Sequence, residues 1–207
     1  MPHVDEEAKA WQLAIAERVG KAVQDYRRRH GLTAQAFAAR TADLGYPISR
    51  VAISKIESNS RAGKMDLAEL IVLAAAMNTP PVALLYPAMP DGEVDLLPDR
   101  PVRSIVAALW FSGEISRSAI EAATDPDQLD DELNNMRRLQ LSRRRAQLQT
   151  SIASTERVAA MSQQHLDRGA EDANPAAIRA LIDLNRADLE RLTSEISNRG
   201  WDVIPDA

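Results

Sequence analysis

The chain has 207 residues, a net charge of −5, no cysteine and three histidines. Without cysteine there are no disulfides, no thiolate metal site and no cysteine nucleophile, and His3, His30 and His165 lie too far apart in sequence for an HExxH-type metal centre. No run approaches the roughly 18–20 apolar residues of a membrane span, and MPHVDEEAKAWQLA carries acids where a secretory signal carries positive charge, so the expectation is a cytoplasmic protein without membrane association.

Charge is uneven along the chain. Residues 13–64 carry ten Lys or Arg against four acids, a local +6 that leaves −11 for the remainder. A basic patch attracts phosphate whatever the whole-chain charge. Glycine is scarce and apolar residues recur mostly at helical spacing, which predicts an all-α fold. Six prolines between 80 and 101 separate an N-terminal region from a different C-terminal one. The domain reading is 1–87, a proline-rich linker over 88–101, and 102–207.

Five helices are expected in the first region. The first runs from about Trp11 to His30, with Leu13, Ile15, Ala16, Val19, Val23 and Tyr26 as its buried stripe and Gly31 as its stop. The second opens on Thr33 as N-cap, turns Phe37, Ala38 and Thr41 inward, and breaks at DLGYP, residues 43–47. The third is ISRVAISKIES, residues 48–58, capped by Ser49. The fourth, Asp66 to Met77, is almost wholly apolar and therefore expected to be central. The fifth, PPVALLYP, begins on proline, which suits a first turn, and ends before Pro87.

In the second region VRSIVAALWF, residues 102–111, reads as a short helix ending near Gly113. A long helix follows from Asp125 and Pro126 to about His165, its acidic start matching the positive end of the helix dipole. Leu141, Leu148, Ile152, Thr155, Ala159, Ser162 and Leu166 form its stripe. A second long helix starts at Asn174–Pro175 and carries Ile178, Ile182, Asn185, Leu189, Leu192 and Ile196. Both stripes are heptad-like, and the short DRGAEDA connection predicts a long antiparallel, coiled-coil-like hairpin. Arg143, Arg144 and Arg145 weaken the first stripe. The hairpin is therefore expected to bury something more, either VRSIVAALWF or a second copy of the chain. VDLLPD (94–99) and WDVIPD (201–206) form a weak repeat, two segments that can pair or dock alike or match by chance.

The third helix has a clear inside and outside. Ile48, Ala52, Ile53 and Ile56 share one face, leaving Ser49, Arg50, Val51, Ser54 and Lys55 outward. Two short helices joined by a turn, the second showing hydroxyl and cationic side chains, describe a helix-turn-helix. Arg and Lys donate to guanine edges, Ser pairs with several edges, and Val touches a thymine methyl. GLTAQAFAARTADLGYPISRVAISKIE followed by DLAELIVLAAAMNTPPVALLYP resembles the Cro/repressor (Xre-type) helix-turn-helix family over about residues 12–87. The resemblance implies a five-helix, lambda-repressor-like domain in a bacterial or phage transcriptional regulator, read as a repressor.

It also implies roles. Arg50 and Val51 match base-facing positions, Lys55 a base- or phosphate-facing one, and Ser49 a cap near the DNA backbone. Arg61 and Lys64 fall in a loop that touches phosphate, and Glu57 in a structural position. The family's phosphate-binding Gln directly after the cap is Ala34 here, so Gln35 is the candidate for that contact. About five residues more than the usual turn separate Ala38 from Ser49. The partners implied are double-stranded DNA and a second copy of the chain joined through the C-terminal helices. No glycine-rich phosphate loop, nucleophile elbow or paired-carboxylate pattern is present, so no catalytic residue, cofactor or metal is assigned, and no residue set names a small-molecule effector. The alternative reading is an adaptor or antitoxin-like protein whose hairpin binds a partner protein.

Overall fold

Two glutamates, Glu6 and Glu7, sit in the first turn of α1 (Glu6–Arg29), where negative charge meets the positive end of the helix dipole. The helix therefore begins several residues before Trp11. It ends as expected: Gly31 has φ +62, its amide reaches Arg28 O, and the Leu32 amide reaches Arg27 O, a Schellman close. The structure is a computed structural model that describes residues 6–122, 125–167 and 175–204. It is mostly helical and divides into two units, Met1–Ile115 and Ser116–Ala207.

In the first unit α1 is followed by α2 (Ala34–Asp43), α3 (Arg50–Glu57), α4 (Leu67–Ala76) and α5 (Pro81–Leu85). The N-cap residues Thr33, Ser49 and Asp66 each accept a hydrogen bond from the first turn of their own helix. α1 packs on α3 and α5, α2 on α3 and α4, and α4 on α5. Val19, Val23, Phe37, Ile53, Leu73 and Leu84 are fully buried at this centre. Of the stripe expected on α1, Ala16, Val19 and Val23 are buried, and Leu13, Ile15 and Tyr26 are half-buried. α4 is less central than its composition predicts, because Leu67 and Ile71, one turn apart, face outward.

The region read as a linker is folded. β1 (Glu93–Asp95) pairs antiparallel with β2 (Pro101–Arg103), with Val94 opposite Val102, and α6 (Ser104–Phe111) packs against α5 and both strands. Pro98 lies in the hairpin's turn, and Pro101 stands on a two-stranded ribbon, where its missing N–H costs little. The expected division at 88–101 is corrected accordingly. Residues 88–115 belong to the first unit, and the boundary falls at 115/116. VRSIVAALWF thus completes the first unit.

The second unit holds α7 (Arg117–Glu121), α8 (Pro126–Asp167) and α9 (Pro175–Asn198). Asp125 Oδ1 accepts the Asp127 amide at 3.1 Å, capping α8. Side-chain bonds join Arg145 to Thr193, Asn185 to Ser151, Arg186 to Glu156 and Arg179 to Gln163. From Arg145 to Gln163 on α8 the partners run back from Thr193 to Arg179 on α9, so the pair is antiparallel. Leu148, Ile152, Ala159, Ile182 and Leu189 form its core, flanked by Ile178 and Leu192. Leu166 departs from its expected stripe and is exposed. The 168–174 connection and the expected start at Asn174 lie outside the described residues. After α9 the chain reverses at Gly200, φ +73. Arg145 then donates to Ile204 O, and Trp201 lies beside the guanidinium groups of Arg138 and Arg199. Residues 94–95 are in a strand and 201–204 are not, so the described part of the weak repeat is not alike; Pro205 and Asp206 lie outside the described residues.

Candidate nucleic-acid interface

α3 is short because both ends are marked. Ser49 Oγ accepts the Ala52 amide at 3.1 Å, and Ser58 is the C-cap, its hydroxyl donating to Ser54 O at 2.9 Å. Its apolar face is spent on the core, with Ile53 at 0% and Ile56 at 2% exposed. Burying two isoleucines stabilises the unit by about 1.5–3 kcal/mol each, which holds the opposite face toward solvent. That face carries Arg50, Val51, Ser54 and Lys55, all exposed, with Val51 at 53%.

Gln35 is brought to the same place from α2. Gln35, Ser49, Arg50 and Val51 line one groove of about 510 Å³ walled by Ala39 and Ala42. Ser54 and Lys55 continue the exposed face along α3. Arg61 and Lys64 lie in the loop between α3 and α4, which is docked on α1 by Asn59 Nδ2 donating to Leu13 O at 3.0 Å. Lys64 is exposed. Arg61 is committed elsewhere: its Nη1 donates to Glu69 Oε2 at 2.6 Å, across to α4. Its charge is shared with a carboxylate, so the phosphate role implied for it is weakened on geometric grounds.

Two features orient α3. Arg27 of α1 makes a forked pair with Glu57, 2.5 and 2.6 Å, and also donates to Leu32 O at 2.7 Å. The hydrogen bond to Glu57 raises Arg27 above its ordinary pKa. Glu57 is therefore structural, as its position implied, and of the three consecutive arginines at 27–29 only Arg28 and Arg29 are exposed. The second feature is the long turn. Gly45 takes φ +85, its amide reaching Ala42 O while the Tyr46 amide reaches Thr41 O. Thr41, fully buried, donates from Oγ1 to Ala38 O at 2.8 Å and accepts the Ile48 amide at 2.9 Å. The extra residues form a hydrogen-bonded turn with Leu44 and Tyr46 exposed.

The bridging role of Thr41 and the Arg27 fork escaped sequence reading. Thr41 had one signal, a hydroxyl on an otherwise apolar stripe. For the Arg27–Glu57 pair only the structural position of Glu57 was signalled, and its partner was not, since 30 residues separate the two. No helix among the described residues is long and apolar enough to cross a membrane, and no cluster of three His, Asp or Glu among them can hold a metal ion. No protein-family model matches the chain, and no curated protein or solved structure matches it significantly.

Proposed function

We propose that this chain is a sequence-specific DNA-binding regulator, acting as a repressor, that lays α3 in the major groove. The observation that carries the reading is the partition of α3, with Ile53 and Ile56 buried and Arg50, Val51, Ser54 and Lys55 exposed. α2 and α3 then form a helix-turn-helix of the Cro/repressor type, with Ser49 and Gln35 near the phosphates and Arg50 and Val51 at the base edges. Arg50 favours a guanine and Val51 a neighbouring thymine methyl. Lys64 adds a phosphate contact, and Arg61 a weaker one because of Glu69.

A gel shift against genomic fragments over a salt series tests this. Affinity should fall steeply with salt, as counterion release requires. Arg50→Ala should cost about 1–3 kcal/mol and relax preference at one base position. Unchanged affinity and preference would remove α3 from the interface.

The second unit supports dimerisation. Val158, Met161, Leu181 and Leu184 are exposed, and each precedes a residue of the α8 or α9 stripe. In an antiparallel pair that offset of about 100° puts all four on the same side. A two-fold dimer joined there carries two recognition helices, which suits a two-fold DNA site with half-sites about one turn apart. The same apolar flank also suits the adaptor reading. A chain that is monomeric by light scattering, fails to bind DNA and co-purifies with another protein would favour the adaptor.

A further inference from the structure

We infer that the first unit holds a second site, a pocket between α1 and residues 87–94 that takes a small amphipathic monocarboxylate at Arg18. The cavity is about 420 Å³, within the range of about 300–1,000 Å³ typical of small-molecule sites. One side is α1, through Arg18 and Lys21, and the other includes Pro87 and Val94. Nothing in the DNA-reading face uses it.

Arg18 is the group that needs an occupant. Its Nε is buried and makes no hydrogen bond among the described residues. Burial pushes the guanidinium below its ordinary pKa, opposed by the nearby Tyr86 and Asp95. Arginine stays charged at any working pH, so the desolvation cost stands until an anion meets it. The planar fork of a guanidinium matches a carboxylate in two parallel bonds. The other charges at the pocket, Lys21, Asp25 and Glu93, are exposed and solvated. Asp95 offsets the Arg18 charge only in part and makes no hydrogen bond to it, so a single guanidinium is left that suits a single carboxylate. Asp25 and Glu93 would repel a polyanion, and Pro87 and Val94 offer contact to an apolar body.

The pocket is also mechanically close to α3. A Cβ added at Gly20 would stand 2.3 Å from Ile56 O, so α1 and α3 touch backbone to backbone two residues from Arg18. A ligand seated on one side of α1 lies a helix width from the proposed recognition helix. Binding at the pocket is independent of the DNA reading; only an effect on DNA affinity rests on it.

The test uses the full chain and octanoate as probe, followed by calorimetry and thermal melting, with octanol and inorganic phosphate as the body-only and charge-only controls. Octanoate should bind and raise the melting temperature, and neither control should. Arg18→Met, shown folded by circular dichroism, should bind at least tenfold more weakly, and Arg137→Met on α8 should bind like wild type. Should Arg18→Met not fold, Ala88→Trp fills the cavity from its exposed rim, leaves Arg18 in place, and should bind at least tenfold more weakly. The inference is overturned if octanol matches octanoate, if neither folded pocket variant weakens binding, or if no carboxylate from acetate to decanoate binds. A gel shift run in parallel keeps the two ideas apart: octanoate binding without any DNA binding would sink the α3 reading and leave the pocket standing.

Discussion

The two units are held together by different kinds of information. The second repeats one rule along two helices: an apolar residue every three or four positions, meeting its counterpart across an antiparallel seam. Its core of Leu148, Ile152, Ala159, Ile182 and Leu189 is a single row. The first unit has no such repeat. Its six helices, α1 long and the other five short, each bury a few residues against two or more other elements, and they are oriented by side-chain bonds between distant positions, Arg27 to Glu57 and Asn59 to Leu13. A row tolerates local damage, whereas a centre shared by several helices does not.

Substitution should expose that difference most at the centre. Phe37, fully buried between helices, should cost about 3–5 kcal/mol as Phe37→Ala. Ile152→Ala in the hairpin should fall at the low end of about 2–5 kcal/mol, since Ile152 retains 8% exposure and the row can relax around it. Urea denaturation followed by circular dichroism checks both. The comparison breaks if Ile152→Ala proves the more damaging. A smaller effect is expected at the turn before α3. Thr41→Val keeps the volume but strands the Ile48 amide, which should cost about 1–3 kcal/mol. If thermal melting shows no loss, the turn is not held by that hydroxyl.

The smallest effect is pH-dependent and local to the second unit. Glu132 accepts the amides of Arg117 and Ser118 at 2.7 and 3.0 Å, joining the start of α7 to α8. Ser118, with the amides of both residues and the Arg117 charge, lowers its pKa against an opposing push from burial; the bonds formed are the two amides, since the buried Ser118 hydroxyl has no hydrogen-bond partner among the described residues. A lowered folded-state pKa means the contribution is complete above the unfolded value of about 4.3 and fades as pH falls through the folded one. Amide exchange at Arg117 and Ser118 should therefore lose protection on acidification below about pH 4, and Glu132→Gln should flatten that dependence. Equal protection in both chains across that range would remove Glu132 from the α7 contact.

Much was legible without a structure, for local reasons. Thr33 and Ser49 announced their helices because a cap bonds to amides two or three residues away; the same role of Asp66 came from the structure. Gly31 announced the end of α1 because the left-handed close suits glycine. The α8 and α9 stripes followed from period alone, and so did the inside and outside of α3. The β1–β2 hairpin was missed because three-residue strands give almost no alternation to read, and prolines in such a stretch look like a linker. The boundary at 115/116 was missed with it.

Of the candidate interface, the sequence by itself determined the exposed set on α3, because amphipathic spacing decides which side chains remain outside once a core forms. It also determined the mostly helical framework and the antiparallel logic of the helical hairpin. Only the tertiary structure decided that Gln35 shares a groove with Arg50 and Val51, that Arg61 is engaged by Glu69, and that Thr41 holds the long turn. Only it placed Arg18 in a pocket with a buried, unbonded nitrogen. The physical reason is range. Caps and periodicity act over a few residues and are written in order along the chain, while charge pairing and desolvation depend on which distant groups the packing brings together.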